Sequence, residues 1–156
     1  MKYASIVMTI FLIILITFGC AGLAGLSQPP NSDEILAAQK GGCPVAFSTT
    51  HAERNTANGI DVMITWKNIS DKTIKYCYME AYLKNAVGDR VVGEIRGKKS
   101  VILQYTGPYK PGKIHWGGLS VHPAAIYHPN AKSVHIEKVW VEFMDGTRIN
   151  PVLVDV

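Results

Sequence analysis

No phosphate-binding glycine loop, dinucleotide fingerprint or G-x-S-x-G nucleophile elbow occurs in the 156 residues. Nucleotide-dependent transfer and elbow-type acyl hydrolysis therefore have no motif to run on. Histidine is present five times, but never as an H-x₃-H pair or within a Cys–His set of zinc-site spacing. His122 and His128 are separated across Pro123 and each borders a proline, while His51, His115 and His135 stand apart from them. Ser120 lies near His122, yet neither sits in an elbow. Glu94 and Glu142 have no carboxylate partner in the sequence. No catalytic residue, metal site or cofactor is expected, and the chain reads as a protein that is not an enzyme. No internal repeat is visible, and the length suits one domain with a tail.

What is present begins at the N-terminus. Met1-Lys2 is followed by an almost wholly apolar run over residues 6–18. A basic start and an apolar run of this length read as a secretory signal, because the run partitions into a bilayer while Lys2 stays on the cytoplasmic side. Gly19-Cys20-Ala21 then places a small residue before a cysteine and resembles the bacterial lipobox, whose cysteine is diacylated and becomes the new N-terminus. Thr17 and Phe18 depart from that pattern, which prefers Leu and a small residue there. Two other routes stay open. Gly22-Leu23-Ala24 offers a small-x-small cleavage site, and residues 4–26 are uncharged for long enough to span a bilayer uncut. Residues 1–19 are read as signal peptide or anchor, with Cys20 the lipidation site.

Residues 20–42 read as a linker. Ser27-Gln28-Pro29-Pro30-Asn31 is polar and proline-bearing. Ser32 is placed to cap a short helix with Asp33 and Glu34 in its first turn and Lys40 near its end, stopped by Gly41-Gly42. This segment is expected to be a stalk.

From Cys43 to Val156 the pattern is that of an all-β domain. Ile60, Val62, Ile64 and Trp66 alternate with Asp61, Met63, Thr65 and Lys67, a strand with one buried face. After the turn residues 68–72, a strand over residues 73–84 puts Cys77, Met79, Ala81 and Leu83 on one face and Tyr76, Tyr78 and Tyr82 on the other. Further strands are expected at residues 91–92, 101–105, 114–116 and 134–144. Asp145-Gly146 signals a two-residue type I′ hairpin. Short strands without helical interruption predict an antiparallel immunoglobulin-like β-sandwich.

The run Trp66-Lys67-Asn68-Ile69-Ser70-Asp71-Lys72-Thr73-Ile74-Lys75-Tyr76, with Asn85-Ala86-Val87-Gly88-Asp89, Thr106-Gly107-Pro108, Pro111-Gly112 and residues 141–147, resembles small exported bacterial immunoglobulin-like or fibronectin-like domains. FxLYD-type sandwiches share its N-x-S-x-K turn and late Pro-Gly turn. The likeness covers roughly residues 60–148 and departs at residues 121–133. It implies a fold and a compartment, and it brings no catalytic residues. Asn68-Ile69-Ser70 is an N-glycosylation sequon, idle in a bacterial envelope.

Three features bear on partners. Cys43 and Cys77 are the cysteines of the exported domain and a candidate disulfide, with two buried free thiols as the alternative. Residues 89–113 hold Arg90, Arg96, Lys98, Lys99, Lys110 and Lys113 against Asp89 and Glu94, and so carry the whole net charge of +4. If those side chains gather on neighbouring hairpin ends, they form a surface for anionic lipid or glycan; if not, they guard a sheet edge. Trp116, followed by two glycines, is the tryptophan best placed for exposure; Trp66 falls on a core face and Trp140 at an edge or surface. No nucleic-acid module is present. The expected function is a non-catalytic, membrane-anchored protein of the bacterial cell envelope whose sandwich binds a protein or glycan. A released binding or inhibitor module and a small metal-binding protein or hydrolase are the alternatives.

Overall fold

The computed structural model describes residues 28–56, 60–93, 97, 99–116, 118–121 and 130–154. The signal segment, Cys20, Glu94, Arg96, Lys98, His122 and His128 lie outside the described residues. Among the described residues the protein is an antiparallel all-β sandwich with one short helix, α1 (Ser32–Lys40). One sheet contains β1 (Val45–Arg54) and β2 (Ile60–Asn68); the far edge of β2 pairs in turn with β6 (Ile114–His115) and β7 (Gly118–Val121). The other contains β3 (Ile74–Lys84), flanked on one edge by β8 (Ser133–Phe143) and then β9 (Arg148–Leu153). The remaining edge of β3 is shared by β4 (Arg90–Val91) and β5 (Val101–Tyr109).

The alternation read from the sequence builds the core. Ile60, Val62, Ile64 and Trp66 from β2 meet Cys77, Met79, Ala81 and Leu83 from β3, all buried, and Tyr76, Tyr78 and Tyr82 point the other way. In β8 the buried parity changes between Ile136 and Val139, because a bulge sets Ile136 opposite Ala81 and Lys138 opposite Glu80. A similar shift between Phe47 and Thr49 interrupts the alternation of β1. The turn after β8 has three residues. Gly146 at φ +84° donates to the Phe143 carbonyl, and Phe143 N–H donates to Thr147. This is a longer hairpin closed by a left-handed glycine, in place of the expected two-residue turn.

Two expectations about α1 change. Its N-cap is Asn31, one residue before Ser32. The Asn31 side chain accepts from the Asp33 and Glu34 amides, and Glu34 Oε2 accepts from Asn31 N–H at 2.7 Å. The helix also does not stand off as a stalk. Ala38 packs against the core, Cys43 N–H donates to the Ala38 carbonyl at 2.9 Å, and Pro30 is buried as the chain arrives.

The N-x-S-x-K turn is built around a buried side chain. Asn68 Nδ2 donates to the Lys72 and Tyr109 carbonyls at 2.8 and 2.9 Å, and its Oδ1 accepts from Ser70 N–H and Ser70 Oγ. The amide at this sequon is thus fully engaged and buried, unable to carry a glycan in the folded protein.

Candidate interaction surfaces

Cys43 and Cys77 carry free thiols in one buried cluster, so the candidate disulfide is not formed in this structure. Burial pushes the Cys43 thiol up to about 11. Burial foremost, and the charge of nearby Cys43 next, push Cys77 well above the usual thiol range. Both behave as small apolar groups with little thiolate to offer.

The described histidines, His51, His115 and His135, do not converge. His51 is exposed on β1, and His135 stacks on Tyr82 with ring centroids 5.6 Å apart. His115 packs between Trp66 (5.4 Å), Tyr105 (4.7 Å) and Tyr109, and its Nδ1 lies 3.3 Å from the Tyr109 hydroxyl. Burial lowers its affinity for a proton. Trp66 Nε1, Tyr105 Oη and His115 Nε2 are buried in this aromatic cluster without a hydrogen-bond partner. Among the described residues, no group of three or more His, Cys, Asp or Glu is placed to hold a metal ion.

The outer face of the five-stranded sheet carries rows of side chains fixed by strand register. In one row Tyr78 and Trp140 are opposed across β3 and β8 and stack at 5.5 Å with planes 9° apart, and Gln104 of β5 lies beside them. In the next, Ile102 (60% exposed), Glu80, Lys138 and Leu153 (74% exposed) follow one another across four strands. Glu80 accepts from Lys138 Nζ at 2.9 Å and from Ser100, which lowers its pKa. On the other side of the aromatic row, Glu142 accepts from Lys75 at 3.0 Å and Arg148 at 2.6 Å, and those hydrogen bonds lower its pKa. Glu142, isolated in sequence, is therefore held by two cations. Tyr82 lies under the Arg90 guanidinium at 4.1 Å. The face thus alternates aromatic rows with internally paired charges and ends in exposed aliphatic side chains. Trp140 was legible as an edge or surface residue, but its stacking on Tyr78 depends on a cross-strand register that the sequence does not state.

The described basic residues of this segment do not form one cluster. Lys99 and Lys110 flank the nine residues of β5, which extend about 30 Å. Arg90 and Lys99 lie together at one end, joined by a bond from Arg90 Nε to the Lys99 carbonyl at 3.1 Å. Lys110 and Lys113 lie at the other, in the turn beside Asn68. Trp116 is 51% exposed just beyond β6, and Trp66 is wholly buried, both as expected.

Two grooves flank α1. The apolar one, about 380 Å³, is lined by Ala37, Ala38, Cys43, Val45, Phe47 and Leu153, among others. The second, about 250 Å³, lies between Ile35 and Gln39 of the helix and Lys67, Asn68, Ser70 and Gly112. Comparison of the chain with known family models, curated proteins and solved structures finds no match.

Proposed function

We propose that the protein is a non-catalytic binding module of the bacterial cell envelope, held at a membrane through its N-terminal segment with Cys20 as lipidation site. In this reading it is an exported sandwich of the FxLYD-type kind, and the outer face of the β5–β3–β8–β9 sheet engages a protein or glycan partner. The observation that carries the reading is the row Gln104–Tyr78–Trp140 bordered by Ile102 and Leu153. Aromatic groups of this kind, half-buried with polar handles, supply contact area at low entropic cost and dominate recognition surfaces. The paired charges around them fix orientation without an uncompensated field.

The test has two parts. Intact-mass measurement of the mature chain reads the anchor: an acylated Cys20 at the N-terminus is expected, and an N-terminus at Gly25 or an uncleaved Met1 excludes lipidation. A photo-crosslinking residue at Gln104 in the full-length protein, expressed in its own envelope, then reads the face. One discrete adduct is expected, lost in Trp140→Ala and absent when the crosslinker is moved to His51. Equal adducts from both positions would rule out this face.

A further inference from the structure

The division of the basic segment separates two different kinds of positive charge. At one end the Arg90 charge is engaged: the guanidinium lies over Tyr82, sits 3.4 Å from Glu137 Oε2 and donates to the Lys99 carbonyl. At the Asn68 end the turn 110–113 is pinned to β2, with Gly112 N–H donating to Asn68 O at 2.9 Å, Asn68 N–H to Lys113 O at 3.0 Å, and Lys113 N–H to Lys110 O at 2.9 Å. Gly112 holds φ +75°, and that closes the turn. These bonds bring Lys110 and Lys113 beside Lys67, whose register partner is Ile114. No ion pair among the described residues engages Lys67, Lys110 or Lys113. Of the carboxylates in the neighbouring turns, Asp145 is held by Lys72 at 2.8 Å, which leaves Asp71 against three lysines. Trp116 is exposed three residues after Lys113.

This pole is also where the chain arrives. Val45 pairs with Asn68 at the start of β1, and Gln28 accepts a hydrogen bond from Ser48 close by. Cys20 precedes Gln28 by eight residues, a length of chain that reaches at most about 28 Å. A tether of that reach is no longer than the sandwich itself, so it favours the pole at which it joins.

We infer that Lys67, Lys110 and Lys113 form a membrane-facing surface that holds anionic phospholipid headgroups, with Trp116 at headgroup level. The inference rests on the anchored reading above and adds an orientation to it. Lysines near an anionic leaflet each strengthen attraction by roughly fivefold, and tryptophan is enriched at that depth. With this pole down, the aromatic face of the other sheet stands beside the membrane and is free for a partner.

The experiment uses the full chain reconstituted through its own N-terminus. Two vesicle types are compared: phosphatidylcholine alone, and phosphatidylcholine with an equal part of phosphatidylglycerol. Lysine acylation rates are read by mass spectrometry. Acylation of Lys67, Lys110 and Lys113 is expected to slow by roughly fivefold or more on the anionic vesicles, with Lys99 unchanged and the protection lost at high salt. Lys110→Glu with Lys113→Glu is expected to restore the reactivity of Lys67. Equal rates on both vesicles, or equal protection of Lys99, would overturn the inference. Flotation of the same samples reads the anchor separately. A chain that fails to float with neutral vesicles overturns the anchored reading, whereas one that floats with its lysines evenly labelled overturns the orientation alone.

Discussion

Asn68 donates an Nδ2 hydrogen to the carbonyl of Tyr109 across 41 residues of chain, at 2.9 Å. The bond joins the end of β2 to the end of β5, which belong to different sheets. Asn68→Ala removes both Nδ2 bonds and leaves the Lys72 and Tyr109 carbonyls and the Ser70 amide without this partner. A loss of about 2–4 kcal/mol is expected, read as a lower urea midpoint.

Gly107 faces a steric limit of another kind. A Cβ there would stand 2.4 Å from the Ile74 carbonyl oxygen and 2.8 Å from the Tyr109 amide nitrogen, both backbone atoms. Gly107→Ala must push β5 away from β3 at the shift between Ile74 and Tyr76. The expected cost is about 2 kcal/mol or more, and thermal unfolding measures it.

His115 makes stability depend on pH. Trp66 from β2 and Tyr105 and Tyr109 from β5 surround it, all uncharged; burial raises the pKa of both tyrosines. Burial likewise holds the folded imidazole below its ordinary value of 6.5. The unfolded chain therefore takes up the proton first. Stability is complete above about pH 6.5 and falls as pH drops through the lower folded value. Urea unfolding at a series of pH values should show this slope in the wild type and its loss in His115→Gln. Glu80 and Glu142, whose pKa values are lowered, act in a separate window below the usual carboxylate range.

Thiol chemistry reports on the interior. Cys43 and Cys77 should resist alkylation in the native protein and both react after denaturation. Mass spectrometry of the alkylated domain counts them. No added label after denaturation, with a mass two hydrogens below that of the reduced chain, would instead show the pair oxidised.

How much of this was legible follows the physics of each signal. The buried faces of β2 and β3 could be read because alternation is a local property of the chain. β1 gave no such signal, since the shift between Phe47 and Thr49 breaks its period. The bulge in β8 hid the step from Ile136 to Val139 in the same way. The exposure of Trp116 and the burial of Trp66 followed from parity and neighbouring glycines. The stacking of Trp140 on Tyr78, and the gathering of Lys67 with Lys110 and Lys113, depend on pairing between distant segments. The basic segment looked continuous because sequence distance conceals the length of the strand inside it.

Pro151 lies within β9, the terminal strand of its sheet, and so takes one amide donor out of that border. In the other sheet, the edge strand β1 is accompanied by Gln28 and packed by α1. Copies confined to a plane collide far more often than copies in bulk solution, and bare borders would then zip into ribbons. A missing donor on one flank and a covering segment on the other let such a protein be crowded onto a surface while each copy keeps its own sheets.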